Sequence, residues 1–271
     1  MKKFEGILFA TDLDGTLLRN DKSISEKNKQ AIEYFISEGG MFTFITGRIP
    51  TATERILKLV QPNIPIGCAN GGVVYDYVNK KILWSVSLDK SVMELIEYVN
   101  EKLPAMGIEV ISHKKIYFYK KSRATEKHRT DEKLPDLAYN DMNPDEEFAK
   151  ILFAGEENEI DHLAEMLKIH QRAGEFEFVR SDPNYYEILP KGINKATALE
   201  KIAQPCGAKK TVAAGDNEND AEMLREATLS FAVANASAEA KAAAGYITVS
   251  NEEDAIARII EELERKYTCS R

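Results

Sequence analysis

The chain lacks the features that mark several large classes of protein. Its 271 residues contain no apolar run of the roughly 18 residues that a membrane-spanning helix needs, so we expect no membrane partner. Residues 1–5 pass directly into a short apolar run, without the apolar region and cleavage site of a signal peptide. The formal net charge of −8 argues against a nucleic-acid-binding surface.

Cysteine is scarce as well. Cys68, Cys206 and Cys269 are isolated, and they form neither a zinc-ligand spacing nor the paired framework of a disulfide-rich secreted domain, so we expect a cytoplasmic protein. The composition is otherwise that of an ordinary soluble chain, with 44% hydrophobic and 30% charged residues. The length is sufficient for two domains.

Two carboxylates follow the first apolar run. Residues 7–10, Ile-Leu-Phe-Ala, are typical of a strand that is buried on both faces. Asp12 and Asp14 come next at spacing i, i+2, which in extended backbone directs both side chains to one side. Two acids at a strand end are costly without a cation, and Mg²⁺ prefers oxygen ligands. A lone D-x-D is equally well explained by ordinary turn residues.

Polar residues also follow the next two predicted strands, residues 42–45 and 64–69. A helix separates the first two strands, which predicts a parallel β-α-β unit whose strand ends share one edge. Thr46 then lies on the edge of Asp12, either as a donor to a phosphoryl oxygen or as a helix cap. Arg48 either contacts substrate or forms a structural ion pair, and Asn70 either contacts substrate or forms a turn.

The last third of the chain supplies a lysine and more acids. Lys195 is predicted in the first turn of a helix, where the helix dipole disfavours a cation, and such a local conflict often marks function. An exposed lysine is the simpler alternative, and Lys191 is a competing candidate. A buried strand at 211–214 precedes Asp216 and Asp220, which need a cation unless they form a solvated turn.

Together, these segments resemble the four motifs of the haloacid dehalogenase (HAD) superfamily, in the same order. The matching segments are D-L-D-G-T-L at 12–17, T-G-R at 46–48, G-I-N-K at 192–195 and G-D-N-E-N-D at 215–220. The N-G-G at 70–72 and the spacing of the lysine motif resemble the Cof-type branch, subfamily IIB. The resemblance implies an α/β fold, with a Rossmann-like parallel-sheet core formed by residues 1–83 and 189–271. Residues 84–188 would form an inserted α/β cap that determines substrate specificity.

The resemblance also implies a Mg²⁺-dependent phosphomonoester hydrolase that acts through an aspartyl-phosphate on sugar phosphates or phosphorylated cofactors. Asp12 would be the nucleophile and Asp14 the general acid and base. The metal ligands would be Asp12, Asp216 and the backbone carbonyl of Asp14. Contacts to the substrate would come from Thr46, Gly47, Arg48, Asn70, Lys195 and Asn219. Of these, Thr46 and Lys195 would stabilise the transferred phosphoryl group, while Asn219 and Asp220 would orient Lys195 and the metal ligands.

Two other functions fit the same motifs. A sugar phosphomutase of related fold would retain its phosphoenzyme and require a sugar bisphosphate. A non-catalytic phosphosugar-binding regulatory module would not need the carboxyl group of Asp14. In each case, the predicted partner is a small phosphorylated metabolite.

Overall fold

The computed structural model describes residues 2–268, so Cys269 lies outside the described residues. The chain forms two compact units. Among the described residues, the first comprises residues 2–48, Thr53–Trp84 and residues 194–268, and the second comprises Ile49–Ala52 and Ser85–Ile193. Residues 49–52 and 189–193 are predicted to belong to the core but group with the second unit, and Trp84, predicted to begin the cap, groups with the first unit. The specificity role of residues 84–188 stays a prediction.

The first unit contains a parallel five-stranded sheet in the order β13-β12-β11-β1-β2. With elements numbered along the chain, its strands are β1 (Ile7–Thr11), β2 (Met41–Phe44), β11 (Lys210–Gly215), β12 (Leu229–Ala232) and β13 (Tyr246–Ile247). A parallel bridge between Ile45 and Gly67 leads from the end of β2 to a smaller sheet. That sheet consists of β3 (Ile66–Cys68), β4 (Val73–Asp76) and β5 (Lys81–Ser85).

Helices cover both faces of β1, as its continuous apolar sequence predicts. The helices of the first unit are α1 (Glu26–Ser37), α2 (Glu54–Leu57), α6 (Lys195–Ala203), α7 (Ala221–Glu226), α8 (Ala238–Ala243) and α9 (Ala255–Thr268). Leu8 and Ala10 share a buried cluster with Leu199 of α6. Phe9 points the other way and meets Phe35 of α1, with the two ring centroids 6.1 Å apart. The predicted α/β fold with a parallel-sheet core is confirmed.

The second unit is built on an antiparallel sheet in the order β7-β6-β8-β10-β9. Its strands are β6 (Gly107–Ser112), β7 (Ile116–Lys120), β8 (Phe148–Ala154), β9 (Phe176–Asp182) and β10 (Tyr185–Pro190), and its helices are α3 (Met93–Lys102), α4 (Arg123–Glu132) and α5 (Glu157–Lys168). One face packs against α3 and α5 in an apolar core that contains Val110 and Ile151.

Alternate residues of the same strands carry buried charges. Lys150 donates to Glu187, with 2.6 Å between Nζ and Oε2, and both side chains are at most 5% exposed. Glu109 is fully buried and lies 2.9 Å from Nδ1 of His128 on α4. Among residues 2–268, no helix is both long enough and apolar enough to cross a membrane.

Candidate active site

Asp12 and Asp14 emerge at the carboxyl end of β1, where the sequence places them. The backbone N–H of Asp12 donates to the carbonyl of Ala214 on β11 at 2.9 Å, so the two strands stay paired up to the site. Gly15 then turns the chain with φ of +82°, and a Cβ on it would lie only 2.3 Å from Oδ2 of Asp216. Glycine is therefore required here both for the backbone angle and for the close approach of Asp216.

Three carboxylates from the two strand ends converge. Oxygens of Asp12, Asp216 and Asp220 all lie within 4.8 Å of one another. Thr16 fixes Asp216 by donating from Oγ1 to Oδ1 at 2.7 Å. Asp220 is fully buried, and its Oδ2 accepts from the backbone N–H of Asp216 at 3.0 Å. Of the two acids near the start of the chain, Asp12 thus meets the acids that follow β11.

Lys195 lies inside this acidic cluster. Its Nζ donates to Oδ1 of Asp12 at 2.6 Å and to Oδ1 of Asp220 at 2.7 Å, and the side chain is 1% exposed. Asn194 caps α6 by accepting from the second and third backbone N–H groups, which places Lys195 at the first position of the helix. The competing candidate, Lys191, is 58% exposed and pairs with Glu177 instead.

Burial and mutual repulsion dominate the electrostatics of the cluster. Burial and the neighbouring carboxylates raise the pKa values of Asp12 and Asp216 above the ordinary range, although Lys195 acts in the opposite direction. Burial alone would lower the pKa of Lys195, but Asp12 and Asp220 raise it, so the ammonium stays charged. Three carboxylates face one ammonium, and the excess negative charge suits a divalent cation with oxygen ligands.

The side chain of Asp14 pairs with two cations instead of joining this cluster. Arg48 donates to it through two nitrogens, with Nε–Oδ2 of 2.8 Å and Nη2–Oδ1 of 2.9 Å. Lys22 adds a third contact, with Nζ–Oδ1 of 2.7 Å. Burial alone would raise the pKa of Asp14, but these cations lower it to about 2. Of the two alternatives for Arg48, the structure shows the ion pair.

Thr46 lies at the end of β2, beside β1 and β3. Its backbone N–H donates to the carbonyl of Gly67 at 3.0 Å, and its side chain is buried. Its Oγ1 accepts from the backbone N–H of Arg48 at 3.2 Å. This hydroxyl therefore shapes the T-G-R turn. Contrary to the capping alternative, it does not cap a helix, because the next helical segment begins only at Pro50, and its proposed contact with phosphate stays a prediction.

Asn70 and Asn219 meet each other. The Nδ2 of Asn219 donates to Oδ1 of Asn70 at 3.0 Å. Asn219 and Asp220 are both predicted to orient Lys195, and of the two Asp220 makes the contact. Lys22, which sequence reasoning missed, follows no strand and belongs to no motif, so nothing in the sequence pointed to it.

Comparison with known proteins agrees with this geometry. The sequence profile of a family described as haloacid dehalogenase-like hydrolases matches residues 9–260. The chain belongs to this family. The predicted HAD-type enzyme is therefore confirmed at the level of the family.

Individual HAD proteins are similar along nearly the whole chain. The 5-amino-6-(5-phospho-D-ribitylamino)uracil phosphatase YitU of Bacillus subtilis is 28% identical over 273 residues, which cover 94% of this chain and 96% of that protein. A HAD-like hydrolase from Bacteroides thetaiotaomicron has a TM-score of 0.81 at 25% identity and covers 96% of this chain and 99% of its own. The HAD subclass IIB sugar phosphatase BT4131 has the same fold, with a TM-score of 0.79 at 20% identity over 94% of this chain and 98% of its own.

Proposed function

We propose that this HAD-family protein is a Mg²⁺-dependent phosphatase that hydrolyses small phosphorylated metabolites through an aspartyl-phosphate on Asp12. The observation that carries the proposal is the contact of the buried Asp12 with Lys195, beside Asp216 and Asp220. Phosphate esters resist hydrolysis because their charge repels nucleophiles, so catalysis requires charge neutralisation and alignment of the attacking group. Asp12 is a fixed carboxylate that can be aligned for attack, and the buried ammonium of Lys195 beside it can neutralise charge.

The chemistry takes two steps. In the first, a carboxylate oxygen of Asp12 attacks phosphorus, the bond to the ester oxygen breaks, and the leaving oxygen takes a proton from Asp14. In the second, water attacks phosphorus, the bond between Asp12 and phosphate breaks, and Asp14 accepts the proton of the water. Lys195 and Thr46 would oppose the charge that grows on the phosphoryl oxygens.

The ion pairs with Arg48 and Lys22 determine the protonation state of Asp14, on which its two proposed roles depend. Paired with them, Asp14 is ionised, which is the state required in the second step. In the first step, Asp14 carries a proton only after these cations have moved to another anion. The phosphate ester itself is such an anion, so we expect Arg48 to leave Asp14 for the substrate, in line with its predicted substrate contact.

The donor set fits Mg²⁺. Asp12 and Asp216 would hold the ion together with the backbone carbonyl of Asp14. Both oxygens of Asp220 are already engaged, Oδ1 by Lys195 and Oδ2 by the backbone N–H groups of Asp216 and Asn217. Thr16 would keep Asp216 in its ligating orientation. When bound, the ion would neutralise the charge between the attacking carboxylate and the phosphoryl oxygens.

The name of the relative YitU makes 5-amino-6-(5-phospho-D-ribitylamino)uracil the first compound to test as substrate. Sugar phosphates and phosphorylated cofactors such as flavin and pyridoxal phosphates complete the panel. A requirement for a sugar bisphosphate would favour the phosphomutase, and Mg²⁺ binding without any turnover would favour the binding module.

The primary experiment measures hydrolysis of p-nitrophenyl phosphate with Mg²⁺ or with EDTA. We expect turnover that depends on Mg²⁺ and that Asp12→Asn lowers by at least about 10³-fold. Asp76→Asn is the matched control, because the hydrogen bonds that the described residues make to Asp76 come from its own turn, from Val78 and Asn79. Wild-type turnover in Asp12→Asn would refute the assignment of the nucleophile.

A further inference from the structure

The segment Ala69-Asn70-Gly71, which follows β3, has an unusual backbone. Its three residues have φ angles of +51°, +52° and +99°, in the left-handed region that glycine adopts freely, asparagine and aspartate adopt occasionally, and alanine adopts only with strain. The positive φ of Ala69 in particular indicates that the surrounding contacts impose the conformation. Strain of this kind collects at functional sites.

The segment is tied to the turn that carries Thr46. The backbone N–H of Ala69 donates to the carbonyl of Arg48 at 2.9 Å, and that of Asn70 donates to the carbonyl of Thr46 at 3.0 Å. The side chain of Asn70 lies against Gly47, where a Cβ would be 3.1 Å from its Oδ1. The segment therefore fixes the turn after β2 through backbone and side-chain contacts.

The same segment packs against the start of α6. A Cβ on Gly71 would lie 1.8 Å from the carbonyl oxygen of Asn194 and 3.0 Å from the backbone nitrogen of Lys195. Only glycine allows this approach. The left-handed backbone thus brings the segment directly against the helical turn that presents Lys195.

A third contact comes from the loop after β11. Asn70 is 1% exposed, and its Oδ1 accepts from Nδ2 of Asn219 at 3.0 Å. Asn219 directly precedes Asp220, which holds Lys195. One buried amide therefore joins the loop that carries Asp220 to the segment that contacts both Thr46 and the first turn of α6.

We infer that Asn70 is a positioning residue that holds the loops of Thr46, Lys195 and Asp220 in register with one another. This role differs from the substrate contact that the sequence predicts for Asn70. The inference rests on the proposed function, because it matters for catalysis only if these loops surround the transferred phosphoryl group. Misplacement of reacting groups lowers kcat, whereas loss of a contact made equally in the ground and transition states raises KM.

A double-mutant cycle tests this role with p-nitrophenyl phosphate and Mg²⁺. Asn70→Gly removes the amide but permits the left-handed backbone, and Asn219→Ala removes its partner. We expect kcat of Asn70→Gly to fall by about 10²-fold, with KM within about twofold of the wild-type value. The kcat of the double variant should be no lower than the kcat of the less active single variant. Losses that multiply, or a raised KM with unchanged kcat, would overturn the inference.

Asn70→Asp provides a second test if Asn70→Gly folds poorly. Aspartate tolerates the left-handed region and keeps an oxygen that can accept from Asn219, so most of the lost kcat should return. If Asn70 instead contacts the phosphate, the added negative charge should raise KM strongly, and the inference would fail.

Asn63→Ala is the matched structural control. Asn63 is also an amide cross-link in the first unit, but it lies at the opposite end of β2. Its Oδ1 accepts from the backbone N–H of Phe42 at 2.7 Å, and its Nδ2 donates to the carbonyl of Gly40 at 3.0 Å. We expect lower stability with unchanged kcat and KM. If Asn63→Ala lowers kcat as much as Asn70→Gly does, the effect is merely structural and the inference is wrong. An inactive wild-type protein would refute the proposed function instead.

Discussion

Replacing Lys195 with methionine tests the role of the buried ammonium. Its Nζ lies 2.6 Å from Asp12 and 2.7 Å from Asp220, at 1% exposure. Methionine fills similar space without charge, so the main change is that three clustered carboxylates lose their closest cation. Removing one partner of a buried ion pair costs about 3–5 kcal/mol, because the remaining charge stays buried. We expect the first unit to lose about that much free energy of unfolding.

The chain offers a probe for this measurement. Trp84 is its single tryptophan, and it packs half-buried against the core of the first unit. Its fluorescence should therefore follow the unfolding of that unit in urea. If the proposed function is right, Mg²⁺ would bind only the folded site and bring positive charge there, so the loss of stability in Lys195→Met should be smaller with Mg²⁺ than with EDTA.

Lys191→Met is the control for Lys195→Met. The Nζ of Lys191 lies 3.5 Å from Glu177, and its side chain is 58% exposed. Exposed pairs contribute about 0–1 kcal/mol, so this change should leave the tryptophan transition and the turnover nearly unchanged. Equal effects of the two substitutions would refute the reasoning about the buried lysine.

Three further predictions concern other sites. Gly15→Ala should weaken Mg²⁺ binding, measured by calorimetry, by about tenfold or more. The Cβ of the alanine would lie 2.3 Å from Oδ2 of Asp216 and displace this ligand. Unchanged affinity would count against Asp216 as a ligand. Lys150→Met should lower the free energy of unfolding in urea by about 3–5 kcal/mol. The double variant Lys150→Met/Glu187→Leu should recover most of this stability, since an apolar pair replaces the buried ion pair. If the double variant recovers no stability, this explanation is wrong. Burial lowers the pKa of His128, but Glu109 acts in the opposite direction, and the net pKa is raised. The stabilisation that the Glu109–His128 pair contributes is therefore complete below the unfolded pKa of about 6.5 and is lost as the pH rises through the folded pKa. His128→Asn should therefore lower the Tm more at about pH 5.5 than at about pH 9, and equal losses would exclude this linkage.

Strand ends account for most of what the sequence could predict about the site. Apolar runs followed by turn residues locate the ends of β1 and β11, and parallel pairing of these strands brings Asp12 and Asp216 together. A lysine at a helix start conflicts with the helix dipole, but it is the resemblance of residues 192–195 to the HAD lysine motif that favours Lys195 over an exposed lysine and over Lys191. In the structure, Asp12 and Asp220 resolve that conflict.

Contacts between loops escaped prediction because no local pattern encodes them. Lys22 reaches Asp14 from a loop without periodicity, and Asn70 pairs with Asn219 across 149 positions. Asn219 and Asp220 are neighbours in a 3₁₀ turn, where successive side chains point in different directions. Only one of them therefore reaches Lys195, and sequence reasoning could not tell which.

Trapping the phosphoenzyme tests the central claim most directly. The protein is quenched in acid during turnover of p-nitrophenyl phosphate with Mg²⁺, reduced with borohydride and analysed by peptide mass spectrometry. Borohydride converts an aspartyl-phosphate, but not a free carboxylate, to homoserine. We expect homoserine at position 12, with none in Asp12→Asn or without substrate. Full turnover with no modification at Asp12, or with modification of another residue, would contradict the account.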